Sequence, residues 1–83
     1  MSVVINIHLL ARASELGKTT CLQVQLDDPA TVAALRKALA RAAPALVDLL
    51  PACAIAVNHQ YAHDEETIPI DAEVALLPPV SGG

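Results

Sequence analysis

Only one stretch of this 83-residue chain carries helical spacing, and almost everything around it alternates in twos. Val32, Leu35 and Leu39 fall on one face of a helix that Thr31 can cap and Pro44 must end. Ile5, Ile7 and Leu9 share one face of residues 3–10, with Asn6, His8 and Leu10 on the other. Leu22, Val24 and Leu26 alternate with Cys21, Gln23 and Gln25. Ile55 and Val57 alternate with Ala54 and Ala56, and Val74 and Leu76 with Ala75 and Leu77. One helix can cover only one face of such a sheet. The large strand side chains (Ile5, Ile7, Val24, Ile55, Val57, Val74 and Leu76) are therefore expected to meet Val32, Leu35 and Leu39 in a single core. The opposite face keeps Asn6, His8, Leu10, Ala54, Ala56, Ala75 and Leu77, a small and mostly uncharged surface that suits a docking partner.

The punctuation fits an α+β chain in the order β-β-α-β-(β)-β. Ser14 to Lys18 reads as a turn joining two strands of a hairpin, with Gly17 available for a positive φ. Asp27-Asp28-Pro29 stops the second strand. Arg36, Lys37 and Arg41 lie toward the helix C-terminus, where cations suit the macrodipole. Ala45 to Leu50 reads as one further turn of helix, and Asn58-His59-Gln60 as a turn. Residues 61–67 read as a short edge strand and loop, and 68–72 as irregular around Pro69.

Composition removes several classes of function. A domain of 83 residues buries only about 60–65% of its unfolded surface, too little to wall off a deep catalytic site and keep a core. With 54% apolar and 17% charged residues the chain is not disordered. Its longest apolar run, Leu49 to Val57, contains Pro51 and falls far short of the ~20 residues of a membrane span. The N-terminus has no basic segment ahead of an apolar one, so a cytoplasmic protein is expected. One Tyr, no Phe, no Trp and a net charge of −4 speak against nucleic-acid binding. The charge is divided: residues 1–43 are net +2, whereas 44–83 hold Asp48, Asp64, Glu65, Glu66, Asp71 and Glu73 with no base, net −6. That half suits a basic partner surface. Cys21 and Cys53 are expected to be free thiols in apolar sites. No metal site is expected, because His59 and His63 lie in a turn region and no paired-cysteine motif accompanies them. No glycine-rich phosphate loop opens the helix.

The C-terminus stands apart. Two of the three glycines, Gly82 and Gly83, are the last residues, after the stiff Pro78-Pro79. The chain thus divides into a domain, 1–77, and an exposed tail, 78–83. A rigid arm ending in residues without side chains can thread a narrow tunnel and present its carboxylate. A carboxylate is a poor electrophile and must first be activated, for instance as an acyl-adenylate. The chain has no catalytic constellation for that, so a partner must supply it.

Ala56-Val57-Asn58, Glu73-Val74-Ala75 and above all Pro78-Pro79-Val80-Ser81-Gly82-Gly83 resemble the MoaD/ThiS family of sulfur carriers, in particular the small subunits of molybdopterin synthase. Thr31-Val32 with Ala34-Leu35-Arg36, and Leu10-Ala11 with Glu15-Leu16, also fit. The resemblance implies a ubiquitin-like β-grasp fold, a mixed four- or five-stranded sheet crossed by one main helix. It implies that the Gly83 carboxylate, beside Gly82, is adenylated by an E1-like enzyme that uses ATP, then converted by a sulfur donor to a thiocarboxylate. The tail would enter the large synthase subunit and deliver sulfur to a pyranopterin precursor for the dithiolene that holds molybdenum or tungsten. The surface expected to meet partners comprises Leu77, Pro78, Pro79, Val80 and Ser81 with Ala75, Ala54, Ala56 and Leu10. No cofactor is expected on the chain itself, and neither nucleic acid nor membrane as a partner. Three positions depart from the family: Leu77 replaces the usual aromatic residue, Ser14 the usual Arg, and Asp71-Ala72 the usual Gly-Asp. Other readings are a sulfur carrier for thiamine thiazole or cysteine formation, a protein modifier joined through isopeptide bonds, and an interaction module with an inert tail. Pro-Pro-Val-Ser before the glycines favours the molybdopterin pathway.

Overall fold

A computed structural model describes residues 1–79. Five strands, β1 (Ser2–Leu9), β2 (Cys21–Asp27), β3 (Ala54–Val57), β4 (Gln60–Ala62) and β5 (Val74–Leu77), form one sheet in the order β2-β1-β5-β3-β4. β1 and β5 run parallel, and every other neighbouring pair is antiparallel, so the sheet is mixed. The main helix, α2 (Val32–Ala42), follows β2, and a shorter helix, α1 (Arg12–Gly17), joins β1 to β2. Two short 3₁₀ turns, Pro44–Leu46 and Leu50–Ala52, carry the chain from α2 to β3.

The alternation read from the sequence sorts the strands as expected. Ile5, Ile7, Leu9, Val24, Leu26, Ile55, Val74 and Leu76 point into the core and meet Val32, Leu35 and Leu39 of α2, all buried. Val57, at the end of β3, is only partly buried. Leu46, Leu50 and Ile68 complete the core. No polar or charged side chain is buried among the described residues, so the core gains from apolar burial with no desolvation cost to offset.

The ends of α2 have local causes. Thr31 is extended, and its Oγ1 accepts a hydrogen bond from the Ala34 N–H at 3.1 Å. The acidic segment supplies further caps: the Val32 N–H donates to the Glu66 carbonyl and the Ala33 N–H to that of Asp64, each at 3.0 Å. Arg36 ties this segment down from the helix, with Nε 2.9 Å from Asp64 Oδ1 and a terminal nitrogen donating to the Leu50 carbonyl at 2.8 Å. At the other end Pro44 forces Ala43 out of the helical region, to φ −138° and ψ 80°.

Two local expectations need correction. Ser14 to Gly17 is not a simple turn but part of α1, with Lys18 as its C-cap, and the positive-φ residues here are Ala11 (φ 50°) and Lys18 (φ 57°, left-handed) rather than Gly17. Gly17 serves close packing instead: a Cβ there would lie 3.0 Å from Leu9 Cδ1. Cys21 does not fill an apolar site; it is exposed on the solvent face of β2 beside Gln23 and Gln25. Cys53 is buried, as expected, and its Sγ lies 3.3 Å from the Leu49 carbonyl. The Asn58–His59 turn is as expected: both residues have positive φ (51° and 68°) and Val57 pairs with Gln60, a two-residue hairpin turn whose twist suits β3 and β4. Asp71 adopts φ 63°, a conformation Asp tolerates better than most residues.

Leu39→Ala is expected to cost about 2–5 kcal/mol in chemical denaturation, a large share of a small domain's stability. Burial pushes the Cys53 thiol above its ordinary range, against a smaller opposite pull from Arg36. Cys21 should therefore react with a water-soluble thiol reagent in the native protein, and Cys53 only after unfolding. The folded state resists ionisation at Cys53, so stability should fall once pH rises past the ordinary thiol range, where the unfolded chain ionises. Cys53→Ala should flatten that fall in urea titrations across alkaline pH.

Candidate functional site: the open face of the sheet

The strand that leads to the C-terminus lies near the middle of the sheet. Val74 and Leu76 of β5 point down into the core, so Ala75 and Leu77 point up to the face that α2 leaves bare. Register fixes their neighbours. Ala75 lies between His8 of β1 and Ala56 of β3, and Leu77 pairs with Ala54. The Leu10 N–H donates to the Leu76 carbonyl at 3.3 Å, which carries Leu10 alongside. The predicted surface residues Leu10, Ala54, Ala56, Ala75 and Leu77 are thus brought together; Leu10 is 44% exposed and the others are half-buried.

This face holds a shallow depression of about 330 Å³ floored by Leu10, Ala56, Ala75 and Leu77. Its rim comes from residues that the sequence reading did not assign to the site: His59, Tyr61 and Glu73. Tyr61, the only aromatic residue of the chain, is 76% exposed. The signal that places it is the two-residue turn at Asn58–His59. That turn sets the hairpin register, which pairs Tyr61 with Ala56 and so puts its ring on the same face. The turn is itself tied to the start of β5. The Asn58 N–H donates to the Glu73 carbonyl at 2.7 Å, and the Glu73 N–H donates to Asn58 Oδ1 at 2.9 Å. His59 Nε2 lies 3.1 Å from Glu73 Oε2 at the surface.

Pro78 is half-buried and Pro79 exposed. Neither has an N–H to give to a neighbouring strand, so among the described residues the pairing of β5 ends at Leu77. Val80, Ser81, Gly82 and Gly83, the predicted reactive end, lie outside the described residues. Among the described residues no three His, Cys, Asp or Glu side chains converge on a possible metal position, and no helix is long and apolar enough to cross a membrane.

A five-stranded mixed sheet with one main helix packed across a single face is the ubiquitin-like β-grasp architecture. The ThiS family model matches residues 7–83, and the chain belongs to that family. Among its relatives, the molybdopterin synthase sulfur carrier subunit of Arabidopsis thaliana is 30% identical over 82 residues, covering 99% of this chain and 85% of that one. The subunit of the same name from Synechococcus elongatus is 43% identical over 68 residues, 75% of this chain and 76% of that one. Among solved structures, SAMP1 (small archaeal modifier protein 1) from Haloferax volcanii superposes with a TM-score of 0.85 at 30% identity, covering 96% of this chain and 99% of that one.

The two sides of β5 should respond differently to substitution. Leu76→Ala is expected to cost about 2–5 kcal/mol. Ala75→Lys, on the open face, should stay within about 1 kcal/mol of the parent, both read from urea midpoints at constant slope.

Proposed function

We propose that this chain is the sulfur carrier subunit of a molybdopterin synthase and carries sulfur as a thiocarboxylate on Gly83. The observation that carries this reading is the ending Pro78-Pro79-Val80-Ser81-Gly82-Gly83, joined to the end of β5 at the margin of a bare apolar face. The relatives named molybdopterin synthase sulfur carrier subunits, one of them similar over nearly the whole chain, support it.

The chemistry divides between this chain and its partners. An E1-like enzyme uses ATP: a Gly83 carboxylate oxygen attacks the α-phosphorus, pyrophosphate leaves, and the acyl-adenylate is a competent electrophile. A sulfide-level sulfur donor then displaces AMP and leaves the thiocarboxylate. The large synthase subunit receives the loaded tail and directs its sulfur to a pyranopterin precursor. The chain itself anchors the tail. β5 is fixed on both sides, Leu77 with Ala54, Ala56, Ala75 and Leu10 docks on the partner, and Pro78 and Pro79 restrict the arm so that less freedom is lost on insertion. ATP-dependent activation accords with a cytoplasmic setting.

The similarity to SAMP1 favours one second reading. The same activated carboxyl, attacked by a lysine amine instead of sulfur, would give an isopeptide bond and make the chain a protein modifier.

Intact-mass measurement after incubation with ATP, an E1-like enzyme and a sulfur donor distinguishes the two. The carrier reading expects a gain equal to the difference between one sulfur and one oxygen atom; a lysine-linked conjugate supports the modifier; no change defeats both. Deletion of Gly83 should abolish the gain and leave the melting temperature unchanged, because an exposed tail contributes little to stability. Ala75→Lys and Leu77→Asp should weaken binding to the large subunit about tenfold or more in titration calorimetry, because each buries a charge in the interface.

A further inference from the structure

The second feature of this fold with free binding capacity lies away from the tail, at the β2 edge. Among the described residues β2 pairs only with β1, and its ladder shows which backbone groups face outward. The Leu9 N–H donates to the Thr20 carbonyl at 2.9 Å at one end, and the Asp28 N–H to the Met1 carbonyl at 2.8 Å at the other. Bonded and non-bonded pairs alternate in an antiparallel ladder. Leu22, Val24 and Leu26 therefore face β1, and Cys21, Gln23, Gln25 and Asp27 turn their N–H and C=O groups outward. At Cys21 the Thr19 hydroxyl occupies both groups: it accepts from the N–H at 3.3 Å and lies 3.0 Å from the carbonyl oxygen. Gln23 and Gln25 have no such cover among the described residues. Their side chains are occupied elsewhere, bonded to Asn6 and Ser2, and leave the backbone edge open.

Beside that edge runs a groove of about 650 Å³ between β2 and α2. Val24, Leu26, Ala34 and Ala38 give it an apolar lining, and Lys37 and Arg41 stand on its helical wall. Both cations are exposed and make no ion pair among the described residues, whereas the neighbouring Arg36 is taken by Asp64. A long free edge is a hazard that proteins usually blunt, and here it lies next to apolar surface and positive charge.

We propose that the β2–α2 groove is a second docking site, filled by an extended acidic segment of a partner protein that adds a strand to β2. The segment exchanges backbone hydrogen bonds with Gln23 and Gln25, places alternate apolar side chains over Val24, Ala34 and Ala38, and sets an Asp or Glu against Lys37 and Arg41. Charge selects this occupant. A second copy joined edge to edge about a two-fold axis would bring its own Lys37 and Arg41 toward those of the first. The chain's own acidic segment is already engaged at the start of α2. This site is independent of the carboxyl chemistry at Gly83, and either can fail without the other.

The test is a titration of the isotope-labelled full chain with a panel of end-blocked peptides of about eight residues, long enough for one strand. Each has β-branched residues at alternate positions and an acidic, neutral or basic end. Acidic-ended peptides should give saturable shifts at the Gln23 and Gln25 amides and slow their hydrogen exchange. N-methylation of the peptide amides that face β2 should abolish this. Lys37→Glu combined with Arg41→Glu, both exposed and outside the core, should weaken binding about tenfold or more. The proposal is overturned if no acidic-ended peptide binds, if basic-ended peptides bind equally well, or if the double variant binds unchanged. Shifts that map to Ala75 and Leu77 instead, or a peptide-free dimer with Gln23 and Gln25 protected, would overturn it as well.

Discussion

β5 is held on both sides, and the rest of the architecture follows from that. It takes a parallel neighbour in β1 and an antiparallel one in β3, so the C-terminal strand is not at an edge, where it could peel away. A parallel partner cannot be reached by a tight turn. The chain must leave the sheet after β2, and α2 with the two 3₁₀ turns supplies that excursion. Because α2 is the only long helix among the described residues, it closes one face and leaves the other open. The proposed presentation of the Gly83 carboxyl group to another protein would start from this fixed strand.

The distribution of polar groups reinforces the same division. The core holds aliphatic side chains and one thiol, bonded to the Leu49 carbonyl, and no polar or charged residue is buried among the described residues, so apolar burial is its main driving force. Specific polar contacts are placed at the junctions. Asn58 and Glu73 bond reciprocally where the β3–β4 hairpin meets β5. Arg36 joins α2 to Asp64 and to the Leu50 carbonyl. Part of the acidic second half of the chain thus has a structural duty, closing the first turn of α2, besides whatever attraction it offers a basic partner.

Much of the fold was legible in the residues because alternation in a half-buried strand is a strong signal. Ile5, Ile7 and Leu9 could hardly be placed otherwise, and Thr31 and Pro44 mark the limits of α2 to within two residues. α1 was not legible. Six residues are less than two turns, and Ala13 and Leu16 are too few apolar positions to show a period. The exposure of Cys21 was implicit in its alternation with Leu22, but the usual burial of cysteine pointed the other way. The floor of the candidate site followed from the same alternation as the core, since each inward residue names an outward neighbour. Its rim did not, because Tyr61 joins the face only through a register that spans two strands. The proposed reactive end rests on residue order alone, since nothing in packing calls for two final glycines behind two prolines.

The chain has a single ring chromophore, and that ring stands on the open face rather than in the core. Tyr61 already meets water in the folded state, so its emission should change little when the core comes apart. It should change when a partner covers the depression beside Ala56 and Ala75. The protein therefore carries an intrinsic optical gauge of occupancy that is nearly blind to folding.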